Sequence, residues 1–261
     1  MVEALEIETK AWPDLSSAPL KIAIPTPAWK KLARIVAWPL RTGWPDEGRR
    51  IIQGPIFGRL IANAALTAPA RGLTVLNAGA GEGLFSRLLL AIPGGARIVE
   101  MDYSYRREPR ATFDKRQHAV PASLTNIPVK SGSFDFILCT EVIEHIDNDG
   151  SALDELRRVL APGGWLLISV PTPPAVYDPN HAREGYTAPD LERMLHERGL
   201  DVVEVAYCMY GSFKLVLRAW RRFGRLPRGL LRSLAIFDRL WPVGTPMDLI
   251  VLSQLPPSSG T

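Results

Sequence analysis

This sequence predicts an open α/β sheet of mainly parallel strands wound with helices, and three observations carry that prediction. Apolar strand-like runs alternate with helix-periodic segments from residue 73 to 206, the order in which βαβ units are written. The first run, Thr74 to Ala78, enters the glycine-rich turn Gly79-Ala80-Gly81-Glu82-Gly83 and leaves it as an amphipathic segment. The second run, Arg97 to Met101, closes on an acid, Asp102.

Composition sets the frame. With 261 residues, 46% apolar and 22% charged, the chain can bury a full core and suits one domain with additions. No apolar run reaches the roughly 18 residues a membrane span needs, and Met1 to Lys10 lacks the apolar centre of a secretory signal. A cytoplasmic chain is expected. Cys139 lies in a predicted buried strand and Cys208 follows another, so both read as small core residues with no disulfide framework. The net charge of +4 is uneven, because residues 211–246 hold Lys214 and seven Arg against Asp238 alone.

Taken in order, residues 1–28 are rich in Pro and Ser and read as an extended arm. Trp29 to Leu40 and Arg49 to Leu66 carry apolar residues at helical spacing. The first strand, Leu73 to Ala78, and a helix over Gly83 to Ile92 follow, and Pro93-Gly94-Gly95 breaks the chain before the second strand. Gln117 to Pro121 is the third strand, and a wholly apolar fourth follows Ser133-Phe134-Asp135. Ser151-Ala152-Leu153-Asp154 offers a capping box for a helix over Leu153 to Leu160, and Ala161-Pro162-Gly163-Gly164 turns into a fifth strand, Trp165 to Val170. Thr187 caps a helix that runs to Arg198, Gly199 ends it, and Leu200 to Ala206 is a sixth strand. A basic helical segment fills 207–246, Asp248 to Leu252 is the last strand, and the Pro-Pro-Ser-Ser-Gly tail frays. The chain thus divides into an arm and helix (1–48), a core (49–206), a basic insertion (207–246) and a last strand with tail (247–261).

The glycine turn separates two kinds of nucleotide site. A dinucleotide fingerprint needs Gly-x-Gly-x-x-Gly, with glycine at 84, where this chain has Leu84. Gly79-x-Gly81-x-Gly83 with acidic Glu82 instead resembles the loop of class I S-adenosylmethionine-dependent methyltransferases, although a tight strand-to-helix turn can need glycines for backbone reasons alone. A second block is similar to the same family: Ile127-Pro128, a short turn, Ser133-Phe134-Asp135 and an apolar strand, with Leu160-Ala161-Pro162-Gly163-Gly164 beyond it. The resemblance covers about residues 50–206 and the last strand. It implies a Rossmann-like seven-stranded, mostly parallel sheet in the order 3-2-1-4-5-7-6, with the last strand antiparallel and helices on both faces.

It also implies S-adenosyl-L-methionine as cofactor, held by Asn77, Gly79, Ala80, Gly81, Gly83, Asp102, Tyr103, Ser123, Leu124 and Thr140. Asp102 stands roughly 20 residues past the last loop glycine, the spacing of an acid that accepts ribose hydroxyls. Its rival Glu100 falls two residues too early to clear the sheet edge. Two positions depart from the family: Asn77 stands where aspartate is common, and Ser123 where an acid usually meets the adenine amino group. The N-terminal helices are expected either over the cleft or packed on the sheet edge.

Glu141, Glu144 and His145 stand at i, i+3 and i+4 just past the fourth strand, so a helical turn starting there would project all three from one face. Adjacent carboxylates repel, and a divalent cation such as Mg²⁺ is one offset for them. The same Glu-x-x-Glu-His string occurs in ubiquinone-pathway O-methyltransferases and small-RNA 2′-O-methyltransferases, where it binds a metal, which makes His181 the candidate fourth ligand. The plain alternative is that Glu141 bonds the loop, Glu144 is solvated and His145 packs on a helix. Glu141 and His145 are the candidate catalytic pair, with His145 as base.

The function expected is methylation of a small-molecule acceptor, at a hydroxyl. The alternatives are a nucleic-acid 2′-O-methyltransferase and a non-catalytic subunit of the same fold. Nucleic acid is the weaker reading, for want of an aromatic-interleaved basic groove. Oligomeric state is left open. The 211–246 segment, with apolar and aromatic residues alternating with Arg, has two readings: a surface helix with solvated arginines, or a peripheral contact at the inner face of the membrane serving a lipid-linked acceptor.

Overall fold

A computed structural model of the chain describes residues 42–66, 72–92, 94–106, 112, 114–175 and 178–258. The expected arm and the Trp29 to Leu40 helix lie outside them. Seven strands form one sheet: β1 (Leu73–Ala78), β2 (Ala96–Asp102), β3 (Gln117–Pro121), β4 (Phe134–Thr140), β5 (Leu160–Pro171), β6 (Asp201–Cys208) and β7 (Asp248–Gln254). Their spatial order is 3-2-1-4-5-7-6, as the family resemblance implied. Strands β1 to β5 pair in parallel, while β7 runs antiparallel between β5 and β6. That reversal puts the first residue of β7, Asp248, opposite Pro171 and Cys208, at the end where the parallel strands finish.

The central strands are buried on both faces, which is why they read as unbroken apolar runs. Their alternate residues serve two cores. Leu76, Ala78, Ile137, Cys139, Leu166 and Ile168 pack against α3 (Asp149–Val159) and α4 (Ala188–His196). Val75, Phe136, Leu138 and Leu167 pack on the other face against α1 (Pro45–Ala65), α2 (Ser86–Leu90), α5 (Gly211–Phe223) and α6 (Arg228–Leu240). Both cysteines are buried and free. A two-residue strand, Thr42–Gly43, pairs with Leu226–Pro227 and ties the entry of α1 to the turn between α5 and α6.

Some boundaries differ from those expected. Helix α2 begins at Ser86 rather than Gly83, because the N–H of Gly83 bonds the Ala80 carbonyl and that of Ser86 the Gly83 carbonyl. These tight turns delay regular helix. Helix α3 starts at Asp149, and its cap is Asn148, whose side chain accepts from the Ser151 N–H at 3.0 Å; the capping box predicted at Ser151 falls inside the helix. Helix α4 does use Thr187, which accepts from the Asp190 N–H. Helix α1 begins four residues early, with Pro45 in its first turn and Asp46 and Glu47 facing its positive end.

Candidate active site

The glycine turn is anchored to the end of β2. Gly79 and Ala80 donate to the Met101 carbonyl at 2.8 and 3.0 Å. Gly81 donates to one Asp102 oxygen at 2.8 Å, and the Tyr105 hydroxyl closes the other side by donating to the Gly81 carbonyl at 2.7 Å. The second Asp102 oxygen accepts from the Ser104 N–H and hydroxyl. A carboxylate has about four acceptor positions, so Asp102 keeps capacity for one more donor.

The three glycines are not equivalent, although all take positive φ. A Cβ on Gly79 would lie 2.2 Å from Cγ2 of Val142, whereas one on Gly81 would meet none of the described residues within 4 Å. Gly79 is thus required by packing, and Gly81 borders open space. That space suits S-adenosylmethionine: a glycine with room at its Cβ position, an acid with a spare acceptor position, and exposed Tyr103 alongside.

The remaining cofactor candidates divide. Leu124 is buried, and Ser123 closes its own turn, its hydroxyl 2.9 Å from that of Thr125 and its carbonyl accepting from Asn126. Glu155 and Arg158 of α3 clamp the chain just beyond, the former accepting from the Ile127 N–H and the latter donating to the Ile127 and Val129 carbonyls. Asn77 points elsewhere. Its side chain is buried and donates at 2.7 Å to Glu100, which also accepts from Gln117, so the polar pair belongs to the sheet interior. Thr140 ends β4, next to Glu141.

Past β4 the expected helical turn is a single 3-10 turn, Ile143–His145. Glu141 lies before it with φ of 53°, so the three side chains do not share a helical face. Its N–H donates to the Ser169 carbonyl of β5 and its carboxylate meets Arg49 of α1 at 3.2 Å. Glu144 is wholly buried and, among the described residues, neither carboxylate oxygen has a hydrogen-bond partner; it is not the solvated residue of the plain alternative. Burial pushes its carboxyl up to about 9, and the charge of Glu141 adds to the rise.

His145 is held by its Nδ1, 3.1 Å from the Asn180 carbonyl. A carbonyl only accepts, so that nitrogen donates; in the neutral ring this leaves the lone pair on Nε2, 3.9 Å from Glu144 Oε1. The His181 ring stands edge-on to His145 with centroids 4.6 Å apart. Burial, then His145, holds His181 below the usual histidine range. Ligand atoms of Glu144, His145 and His181 lie within 4.8 Å of one another, and Glu141 is not in that group.

These residues line a cleft of about 490 Å³ at the carboxyl ends of the central strands. Its other walls hold residues the sequence did not single out: Trp44, Arg49, Asp178, Trp220 and Met247. Helix α1 therefore both packs on the sheet and covers the cleft. Burial would lower Arg49, yet the carboxylates of Glu141, Asp248, Asp46 and Glu144 around it raise it. Asp248, fully buried, accepts from Gln53 and from the Cys208 thiol, and burial with the nearby Glu141 pushes its carboxyl well up.

Residues 52–205, more than half of the chain, match the model of a family described as "Methyltransferase domain". The chain belongs to that family. It carries a methyltransferase domain with the fold of the class I enzymes. A demethylmenaquinone methyltransferase of Clavibacter sepedonicus is 33% identical over 52% of this chain and 57% of its own length. A ubiquinone biosynthesis O-methyltransferase of Paraburkholderia xenovorans is 27% identical over 50% of each. The methyltransferase thus spans about half the length of the curated relatives it matches. A solved putative methyltransferase from Bacillus halodurans shares the fold, with a TM-score of 0.54 at 15% identity, covering 78% of this chain and all of that one.

Proposed function

We propose that this methyltransferase transfers a methyl group from S-adenosylmethionine to a hydroxyl of a small acceptor bound in the cleft beneath α1 and α5. One observation carries the reading. Val142, between Glu141 and Glu144, packs directly on Gly79, so the wall bearing the titratable side chains adjoins the glycine turn.

When bound, the cofactor supplies an electrophilic methyl group on a sulfonium sulfur. The chain has to place the acceptor in line, exclude water and take a proton. Gly81 leaves room at the turn and Asp102 offers the ribose an acceptor. His145 Nε2 is the base for the acceptor hydroxyl, its ring fixed through Nδ1 by Asn180. Arg49 pairs with Glu141 beside the cleft, and the Trp44 and Trp220 rings, 5.9 Å apart, offer apolar faces to an acceptor. The quinone-pathway activities named for two relatives support an acceptor of that size, including one carried on a lipid.

A second reading rests on the orphaned Glu144 carboxylate. Burial favours the neutral form of that carboxyl, and a divalent cation held by Glu144, His145 and His181 would favour the ionised form and give its oxygens a partner. Such an ion would acidify an acceptor hydroxyl. Among these three, the Nδ1–H to carbonyl bond of His145 is the outer support that metal-binding histidines use. Glu141, engaged with Arg49, stays outside that set.

Labelled S-adenosylmethionine, incubated with the enzyme and fractionated cell extract, tests the activity. A labelled product that disappears in His145→Ala and Gly81→Val variants is expected. Tight cofactor binding without product in any fraction would favour a non-catalytic binding subunit.

A further inference from the structure

Helix α6 breaks the usual rule for a surface helix. One apolar stripe should face the core, and here Leu231 and Ala235 do so, wholly buried. The opposite stripe should be polar. Instead Leu230, Ile236, Phe237, Leu240 and Trp241 face outward, each between 45 and 66% exposed. Spacings of 7, 10 and 11 residues from Leu230 to Phe237, Leu240 and Trp241 place these on one side. Phe237 and Trp241 stack, 8° from parallel at 6.3 Å, and Val243, 62% exposed, extends the surface. Contiguous exposed apolar area of this kind marks a site of interaction.

The charge around it has one sign. Asp238 is the only acid in 211–246, and it is buried, accepting from the Tyr210 and Phe213 N–H groups at the start of α5. Arg228 and Arg232 are tied to Glu47 of α1. Arg218, Arg222, Arg225 and Arg239 are exposed and, among the described residues, none makes an ion pair. The surface is therefore an apolar and aromatic stripe beside unneutralised guanidinium groups. No helix of the described residues is long and apolar enough to cross a membrane.

We infer that the outer surface of α5 and α6 lies on an anionic lipid bilayer, with Leu230, Phe237, Leu240 and Trp241 entering the interface and the arginines meeting lipid phosphates. Aliphatic side chains with a stacked aromatic pair and Arg suit the boundary of headgroup and acyl chain. They suit a phosphodiester strand less, since Leu and Val do not stack on bases. An acidic protein would match the charge but gives no reason for so many aliphatic side chains beside it. Helix α5 is shared with the cleft, whose wall includes Leu217, Trp220 and Arg221. Resting on the methyltransferase reading above, this orientation opens the cleft beside the bilayer, so a lipid-borne acceptor can enter it without crossing water.

The test uses the full chain, without cofactor or acceptor, sedimented with vesicles of phosphatidylcholine alone or mixed with phosphatidylglycerol. Binding to the mixed vesicles is expected, weak on phosphatidylcholine and weakened by salt. Arg218→Gln, Arg222→Gln and Arg225→Gln together should lower affinity on the order of a hundredfold, from about fivefold for each charge near an anionic surface. Phe237→Ser with Trp241→Ser should lower it at least tenfold, with an unchanged melting midpoint showing that the fold is intact. Negligible pelleting with both vesicle types overturns the inference. So does binding that falls with the arginines but ignores the two aromatic residues. A dimer in sedimentation velocity that the aromatic variant dissolves, without vesicle binding, assigns the surface to a second copy instead. Methyl transfer to a soluble acceptor with no vesicle binding sinks only this inference, and vesicle binding without methyl transfer sinks only the proposed activity.

Discussion

Replacing Gly79 by Ala should damage both halves of the site at once, and the structure divides the cost into two parts. The first is conformational: φ at Gly79 is +69°, and a residue with a Cβ loses roughly 1 to 2 kcal/mol there. The second is steric. The added methyl would sit 2.2 Å from Cγ2 and 2.9 Å from Cγ1 of Val142, a clash that must be relieved by moving the turn before Glu144, at about 1 to 3 kcal/mol. Together they come to about 2 to 5 kcal/mol, a fall of roughly 4 to 20 °C in melting midpoint at 2 to 4 °C per kcal/mol. Only the steric part can be rescued. Combining Gly79→Ala with Val142→Ala should recover about 1 to 3 kcal/mol as coupling energy in a double-mutant cycle, while the backbone part persists. Scanning calorimetry of the four proteins measures the stability, and cofactor titration follows the turn. A coupling energy near zero would refute the claim that Val142 joins the glycine turn to the titratable wall.

Asp102→Ala removes the acceptor for the Gly81 N–H as well as the ribose contact, so S-adenosylmethionine affinity should fall about tenfold or more; an unchanged calorimetric Kd speaks against the site. Chelation should lower the melting midpoint, with Mn²⁺ or Mg²⁺ restoring it in the wild type but not in Glu144→Ala, and identical midpoints throughout would remove the metal reading. Arg158 and the Ile127 N–H hold Glu155 below its ordinary value of 4.5. Its stabilising contribution is therefore present above pH 4.5 and lost as pH falls below it; Glu155→Gln should flatten that part of the stability profile, and a parallel acid limb in both proteins would count against the clamp. Arg49→Met leaves Glu141 without its cation and should cost roughly 2 to 4 kcal/mol, with chemical denaturation as the check and an unchanged midpoint as the refutation.

The sheet was legible because its central strands are buried on both faces and so appear as unbroken runs, and because the turn after the first strand takes positive φ at Gly79, Gly81 and Gly83, which favours glycine. Other features depend on information no local pattern holds. Asn148 and Ser151 each begin a plausible cap, and only the side-chain contact decides between them. Glu141, Glu144 and His145 have helical spacing, yet the left-handed backbone at Glu141 starts the turn one step later. Arg49 reaches the cleft, and Asp248 a buried position near Arg49, through tertiary structure, the former by the placement of α1 and the latter by the antiparallel direction of β7. In α6 the sequence shows apolar residues and Arg at helical spacing. That one apolar stripe faces the core and a second faces outward follows only from its packing on α1 and α5.

Glu141 is where these long-range choices meet. A glutamate at φ of 53° is an uncommon state for a residue with a side chain, and such a state persists when its surroundings over-determine it. The Ser169 carbonyl fixes its N–H from β5, the Ser169 hydroxyl donates to its carboxylate, and Arg49 holds that carboxylate from outside the sheet. The backbone turn that sets Glu144 and His145 at the cleft is therefore locked partly by a cation on α1. Helix α1 also carries Glu47, which engages Arg228 and Arg232 of α6. A shift of the helical layer would thus act on the Arg49 to Glu141 pair and through it on His145, which ties the outer surface of α5 and α6 to the geometry of the cleft by contacts already in place.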